Sequence, residues 1–227
     1  MPFRLPNDTQ HMAIIGQNGS GKTVFGAWAL SMSSFMSQPK VIIDYKRDDL
    51  LAKIDGLRYI DFKEMPKHPG VYCIQANAAD DEKMDDWFFR AAKRENIGIY
   101  LDEGLSVPQR APRYTGLQTL LTQGRSKHCP VTVLMQRPAW VSKFIFSESS
   151  FFAVFRLQSD DDKEVVSKFT PSKRIDPLWN LDTRLEKYHC RWYDSHQNYS
   201  TELLPAPSET VILETFYDRM RLKRKVF

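Results

Sequence analysis

The amino-acid sequence predicts an α/β domain with a mainly parallel central sheet flanked by helices. Two observations carry this prediction. Short apolar runs bounded by turn residues alternate along the chain with segments of helical periodicity. The apolar runs are continuous, which is typical of strands buried on both faces of a sheet. At 227 residues the chain fits one domain over 1–227, with a core over about 12–157 and a C-terminal strand and helix elaboration over about 158–227.

The N-terminal half is predicted to begin as strand, loop and helix. An apolar strand at 12–15 runs into a glycine-rich segment, after which 22–36 has helical character. Pro39 breaks the chain before a second continuous apolar strand at 41–43. The further elements are two weaker strands at 57–62 and 71–75, a helix whose apolar positions run from Met84 to Ala92, and a strand at 97–101.

The C-terminal half continues the alternation. Thr115 and Gln118 have the spacing of a capping box, so a helix is expected to begin there and to end near 124–127. The elements that follow are strands at 131–135 and 151–157, a helix at 160–169, an edge strand at 188–193, and a last helix capped by Ser208.

Composition and cysteine usage exclude several classes of protein. Apolar residues make up 42% and charged residues 26% of the chain, which excludes general disorder. No apolar run approaches the ~20 residues of a membrane-spanning helix, and no signal sequence is evident, so we expect neither secretion nor a membrane span. The three cysteines are far apart with no CxxC pair, which disfavours a disulfide framework and suits a reducing cytosol.

The formal net charge of +4 is unevenly distributed along the chain. Residues 219–227 hold five basic residues and no acidic one, so the rest of the chain sums to −1. The simplest interpretation is that these basic side chains stabilise the C-terminal end of their own helix, where positive charge is favourable. Contact with DNA or with anionic lipid headgroups is the alternative. The whole protein is therefore not a basic DNA-coating protein, and phosphate contacts must come from local patches.

One segment carries a specific motif for binding nucleotide phosphates. The eight residues after the first strand fit G-x-x-x-x-G-K-[ST]. In such a loop the backbone N–H groups surround the phosphates, the lysine meets the β and γ oxygens, and the hydroxyl meets Mg²⁺. The expected strand and helix flank the motif, so we predict ATP and Mg²⁺ as ligands. The loop consists of Gly16, Gln17, Asn18, Gly19, Ser20, Gly21, Lys22 and Thr23.

Two carboxylates follow the strand at 97–101. Asp102 is placed to join the Mg²⁺ shell, and Glu103 beside it is placed to polarise the attacking water. An acidic strand end is common by itself. Its combination with the phosphate loop favours a hydrolase, because a kinase would have to keep water out of its site.

Two further strand ends point towards the same crevice, because ligands of open α/β sheets bind outside the carboxyl ends of the strands. Asp44 and Lys46 lie at the end of one strand. We expect them either to contact the nucleotide or to form a structural ion pair with each other. Gln136 follows another strand. Its amide can donate to a γ-phosphate and accept from water, or it is a surface amide at a strand end.

These segments together resemble the FtsK/HerA superfamily of DNA-pumping ATPases. The small size and minimal accessory sequence are most like the genome-packaging ATPases of tailless phages with an internal membrane, such as the tectiviruses. The larger translocases carry a membrane anchor and a DNA-reading tail domain, and we expect neither from this sequence. The resemblance covers about 12–157 and lies in the loop 16–23, Ile42 to Lys46, Leu101 to Glu103, Gly124 with Arg125, and Val131 to Pro138.

The resemblance implies an ATPase that moves double-stranded DNA in viral genome packaging. It further implies a homo-oligomeric ring, expected to be a hexamer, with ATP between subunits and the Gln136 position sensing the γ-phosphate. Attachment would come from portal or membrane-associated vertex proteins. The protein would then act in the host cytoplasm and at the packaging vertex of the virion.

The resemblance also implies that an arginine of one subunit reaches the nucleotide of the next. Arg125 is favoured, Arg156 is second and Arg137 is a third possibility, while most basic residues are surface arginines and lysines without such a role. Arg110 and Arg113 lie in a proline-bounded loop that a ring would present to DNA in its channel, unless they are ordinary solvated arginines.

The alternative function is a small-molecule phosphotransferase of nucleoside-kinase type. It would share the phosphate loop but need an arginine-rich lid and a buried acceptor pocket, and neither is evident in the sequence. A GTPase and an ABC ATPase are disfavoured because N-K-x-D and L-S-G-G-Q segments are absent. A non-enzymatic nucleotide-gated subunit is a third class, against which Glu103 and Gln136 argue.

Overall fold

The computed structural model describes residues 3–104 and 115–226. Nine strands of this part form one sheet in the order β3-β4-β2-β5-β6-β1-β7-β8-β9. Every neighbouring pair from β3 to β7 is parallel, and β8 and β9 are added antiparallel at one side. The strands are β1 (His11–Ile15), β2 (Pro39–Asp44), β3 (Arg58–Tyr59), β4 (Gly70–Gln75), β5 (Gly98–Leu101), β6 (Val131–Met135), β7 (Ser149–Val154), β8 (Cys190–Asp194) and β9 (Tyr199–Leu203).

Helices cover both faces of the sheet. The helices are α1 (Lys22–Met32), α2 (Asp49–Ala52), α3 (Asp81–Arg94), α4 (Gly116–Gln123), α5 (Lys143–Ser147), α6 (Asp160–Ser167) and α7 (Glu209–Val226). The core on one face includes residues of α1, α2 and α7, and the core on the other includes residues of α3, α4 and α5.

The continuous apolar strands predicted from the sequence are explained by these two cores. In β1, Ala13 and Ile15 belong to one core and Met12 and Ile14 to the other, and all four side chains are buried. Because successive side chains of a strand point to opposite faces, a strand between two helical layers must be apolar at every position. The predicted α/β class and its mainly parallel sheet are confirmed.

Most predicted elements are found, with shifts at their ends. Gly116–Gln123 follows Thr115, whose side chain and that of Gln118 make the reciprocal bonds of the predicted capping box. The helix predicted to reach residue 36 ends earlier, at Met32, because Ser33 takes an extended conformation.

The short helices α2 and α5 and the strand β9 were not predicted, and one predicted strand was assigned to the wrong position in the sheet. The helices α2 and α5 are too brief for a helical period to show in the sequence. The predicted edge strand at 188–193 is β8, which is not an edge because β9 pairs on its outer side. The sequence of β9, YSTEL, is polar and only partly buried, so it carries no apolar signal.

The residues after 158 continue the same sheet and core. β8 pairs with β7, and α7 packs against α1. Among the described residues, no helix combines the length and the apolar character needed to cross a membrane.

Candidate active site

The phosphate-loop motif lies between the end of β1 and the start of α1. Its first residues are fixed by the backbone, since the Gly16 N–H donates to the Met135 carbonyl (3.1 Å) and the Gln17 N–H to the Arg156 carbonyl (3.0 Å). A side chain at Gly16 would place its Cβ 2.6 Å from the Cβ of Phe155, so only glycine fits there. Gly21, the N-cap residue immediately before α1, has a φ of 99°, in the left-handed region that favours glycine.

Lys22 lies folded over this loop. Its ammonium donates to the Gln17 carbonyl at 2.7 Å, and the side chain is buried. Burial, and secondly the charge of Lys46, lowers the pKa of Lys22 to about 8. An anion placed in the loop would stabilise the charged form of Lys22, which is what a site for a triphosphate requires.

Asp102 is fully buried directly after β5. Neither of its carboxylate oxygens has a hydrogen-bond partner among the described residues. Burial raises the pKa of Asp102 to about 6, while the ammonium of Lys46, 4.0 Å from Oδ2, acts in the opposite direction. A buried carboxylate without donors is costly unless a cation binds it, so this residue has the character of a metal ligand.

Glu103 lies at the centre of a small polar cluster. Its Oε2 is 2.9 Å from the Lys46 ammonium and accepts a hydrogen bond from the Gln136 amide at 3.2 Å. These three residues follow β5, β2 and β6, which are adjacent strands of the sheet. The structure therefore brings Lys46, Glu103 and Gln136 together at the carboxyl edge, as the sequence analysis expected of the crevice.

Asp44 has a different environment from the one expected. Its Oδ1 accepts the N–H groups of Lys46 (3.1 Å), Arg47 (2.6 Å) and Asp48 (3.3 Å), so the carboxylate shapes the turn after β2. Burial raises the pKa of Asp44. The alternative of an Asp44–Lys46 side-chain ion pair is not what the structure shows, because Lys46 pairs with Glu103 instead. Its role in nucleotide binding stays a prediction.

A cavity of about 750 Å³ opens beside the phosphate loop. This volume suits a nucleotide-sized ligand. Its lining includes the loop residues 18–23 with Lys46 and Gln136. The lining residues that sequence reasoning did not assign to the site are Val24, Asp48, Tyr188, Pro205, Ala206, Pro207, Ser208 and Glu209. Tyr188 and residues 205–209 are far from the phosphate loop in the sequence. The pairing of β7, β8 and β9 brings them to the loop.

The candidate arginines differ in where they lie. Arg125 is exposed and follows α4, just before the segment 127–128 whose carbonyls accept from the start of β5. This is the edge of the sheet where the parallel strands begin. The phosphate loop lies at the other edge, where the strands end, so Arg125 is far from the phosphate loop of its own chain. Arg156 is exposed beside the phosphate loop, where its carbonyl accepts from Gln17.

Arg137 is engaged within the chain. Its Nε lies 3.0 Å from Oδ2 of Asp162, and its guanidinium lies 4.3 Å from the centroid of the Trp140 ring. Arg110 and Arg113, expected to contact DNA, lie outside the described residues.

Comparison with known proteins decides the family. No family model matches the chain. The DNA packaging ATPase P9 of Enterobacteria phage PRD1 is 35% identical over 220 residues, covering 95% of this chain and 96% of P9. The chain belongs to the family of phage DNA-packaging ATPases. The predicted resemblance is confirmed, and the nucleoside-kinase alternative loses its support.

Solved structures agree with this family at the level of the fold. The genome packaging NTPase B204 of Sulfolobus turreted icosahedral virus 2, in complex with sulfate, superposes with a TM-score of 0.70 at 14% identity, over 89% of this chain and all of B204. The complex of B204 with ATP-gammaS gives a TM-score of 0.69. EssC (ATPases 2 and 3) from Geobacillus thermodenitrificans gives a TM-score of 0.60 at 15% identity, and the match covers 44% of the EssC chain.

Proposed function

We propose that this chain hydrolyses ATP in the crevice around Glu103 and uses the energy to move double-stranded DNA into a viral capsid. The observation that carries the proposal is that Lys22, Lys46 and Gln136 line one cavity, and that Lys46 and Gln136 contact Glu103, the neighbour of Asp102, in a chain of the packaging family. The family relation supports DNA as the partner and the packaging vertex as the place of action.

The described residues fit a magnesium ion at this site. Asp102 has two buried oxygens without donors, and Thr23 lies in the first turn of α1 on the cavity wall. A carboxylate and a hydroxyl beside a phosphate loop form the oxygen-rich ligand set that Mg²⁺ prefers. Mg²⁺ held by Thr23 and Asp102 would neutralise negative charge on the β- and γ-phosphates.

Other groups of the site bind the phosphates, accept a proton and orient the attacking water. The N–H groups of the phosphate loop and the Lys22 ammonium bind the phosphate oxygens. Glu103 accepts a proton from a water as that water attacks the γ-phosphorus and the bond from the γ-phosphorus to the bridging β–γ oxygen breaks. Gln136, 3.2 Å from Glu103, can orient the same water because its amide both donates and accepts.

The proposed assembly is a homo-oligomeric ring, expected to contain six subunits, with ATP at the subunit contacts. Arg125 is exposed at the sheet edge opposite its own phosphate loop, so any contact with a nucleotide has to be with that of a neighbouring subunit. A guanidinium supplied in trans would stabilise charge on the transferred phosphoryl group. Arg156 is the second candidate for this role.

The proposed DNA contact is the segment 105–114, which carries Arg110 and Arg113. The described residues on either side of this segment are Gly104, next to Glu103, and Thr115, which caps α4. A DNA contact between these two points would be connected through the backbone to the catalytic carboxylate. Contact with phosphates alone would let the motor move any sequence.

This proposal is tested with the double variant Arg110→Ala, Arg113→Ala. We expect the salt dependence of DNA binding to weaken by about one to two phosphate contacts, and DNA to lose its stimulation of ATP hydrolysis. The matched control is Lys173→Ala with Arg174→Ala, two exposed basic residues away from the crevice. Unchanged stimulation and an unchanged salt slope in the folded double variant would assign DNA contact elsewhere, with the basic segment 219–225 as the next candidate.

A further inference from the structure

We propose that the base of the bound nucleotide is held between the side chain of Tyr188 and the segment Pro205–Pro207. This assignment rests on nucleotide binding at the phosphate loop and adds the part of the ligand that the loop does not contact. The cavity of about 750 Å³ is lined by the phosphate loop and by these residues. A triphosphate on the loop therefore leaves its ribose and base to occupy the rest of this cavity, which Tyr188 and Pro205–Pro207 also line.

The sheet explains why two distant segments meet there. Cys190, the first residue of β8, pairs with Leu203, the last residue of β9, so the chain enters and leaves this hairpin at one place. Val154 at the end of β7 pairs with Arg191, which puts that place at the carboxyl edge of the parallel strands. The residues just outside the hairpin therefore extend the wall of the cavity beyond the phosphate loop.

Tyr188 is held in an unusual backbone conformation at this wall. Its φ is 67°, in the left-handed region that an aromatic residue rarely adopts. The turn is closed by a hydrogen bond from the His189 N–H to the Glu186 carbonyl at 3.2 Å. His189 also lies 2.9 Å from the carboxylate of Glu202 on β9, which ties the turn to the hairpin. Strained residues of this kind are concentrated at ligand contacts.

The tyrosine ring is poorly buried for so large a side chain. It is 44% exposed, although it packs against the phosphate loop, where an added Cβ at Gly21 would lie 3.3 Å from its Cδ1. The Lys187 ammonium lies 4.8 Å from the ring centroid, so the base would contact the part of the ring that Lys187 leaves open. An exposed aromatic ring next to a phosphate loop is a suitable surface for a flat base.

The segment Pro205–Pro207, which lines the same cavity, has the chemistry of a stacking surface. Pro205 and Pro207 have no N–H donors, and their rings offer apolar faces. Contacts of this kind sense the area of a base more than the pattern of its edges. The ligand class is therefore a purine nucleoside triphosphate, and pyrimidine triphosphates, which have smaller faces, should bind more weakly.

The test compares ATP with inorganic tripolyphosphate, which carries the phosphates without a base. The variant is Tyr188→Gly, because glycine adopts a positive φ without strain and so removes the ring while keeping the turn. We expect the KM for ATP to rise by roughly tenfold or more, as loss of one stacking contact predicts, with kcat changed little. Competitive inhibition by tripolyphosphate should be unchanged, and Tyr188→Phe should retain the wild-type KM.

Controls separate this inference from the nucleotide site itself. Tyr217→Ala removes another exposed tyrosine, on α7, and should change neither affinity. Lys22→Ala should weaken ATP and tripolyphosphate alike, which verifies the phosphate site independently of the base. Equal weakening of both ligands by Tyr188→Gly, or no change in the KM for ATP, would overturn the base assignment and leave the phosphate site intact.

Discussion

The ammonium of Lys46 lies 2.9 Å from Oε2 of Glu103. The Gln136 amide donates to the same oxygen at 3.2 Å, so Oε2 lies between a cation and an amide donor. Lys46 also lies on the cavity wall that the γ-phosphate would approach. A bound triphosphate would attract this ammonium, which would then place a positive charge beside both the phosphate and Glu103.

The first prediction therefore concerns Lys46→Met, which keeps the length of the side chain and removes its charge. We expect turnover to fall by tenfold or more, because a cation beside the transferred phosphate is lost. Steady-state hydrolysis measures this, with Lys53→Met, an exposed lysine at the end of α2, as the matched control. Wild-type turnover in Lys46→Met would show that the ion pair has no part in hydrolysis.

The second prediction is that Glu103→Gln binds ATP without turning it over. Asp102 and Thr23, the proposed metal ligands, and Lys22, the proposed phosphate ligand, are kept, while the water loses its proposed proton acceptor. We expect turnover to fall by about 10² to 10⁴, with the affinity for ATP kept. Equilibrium ATP binding and single-turnover hydrolysis on the same preparation distinguish the two effects. Rapid single-turnover hydrolysis would place the base at another residue.

Local sequence was sufficient to predict the candidate site residues at the carboxyl edge of the parallel strands. It was insufficient to predict the cavity-lining residues Tyr188 and Pro205. The phosphate loop, Asp102, Glu103 and Gln136 each follow a strand whose apolar run is visible in the sequence, and parallel strands end at one edge. Tyr188 and Pro205 have no such signal. Their position depends on the antiparallel pairing of β8 with β9, and β9 is too polar to be recognised as a strand.

The third prediction tests whether Arg125 acts on a neighbouring subunit. Arg125→Ala should lower turnover by about 10³ or more while ATP affinity is kept, since such arginines act mainly on the transition state. Mixing Arg125→Ala with Lys22→Ala subunits should restore part of the activity, because some contacts then combine an intact loop with an intact arginine. Native mass spectrometry verifies that mixed rings form. No recovery in mixed rings would favour Arg156 or a role within the chain.

The fourth prediction is a pH dependence of folding stability caused by His11. This residue is buried in β1, where its Nδ1 accepts the Val131 N–H at 2.9 Å, and burial lowers its pKa to about 4. The unfolded chain, with an ordinary pKa near 6.5, binds the proton more readily. Stability is therefore fully present above pH 6.5 and is lost as the pH falls towards 4, by roughly 2 kcal/mol between pH 7 and 5.

The measurement is urea unfolding at pH 7 and pH 5 for the wild type and for His11→Gln, whose amide oxygen can accept the same N–H without titrating. Asp102, with a raised pKa, acts in the opposite direction in both proteins, so the difference between them isolates His11. An equal loss of stability in both proteins would assign the acid sensitivity to other groups.

The central claim is that hydrolysis at Glu103 drives movement along DNA. The most direct test is ATP-dependent displacement of a third strand from a triplex at the end of a long duplex. We predict displacement by the wild type with ATP, none with a non-hydrolysable analogue, and none by Glu103→Gln with ATP. Displacement by Glu103→Gln, or a wild type that hydrolyses ATP on DNA without displacing the strand, would contradict the account.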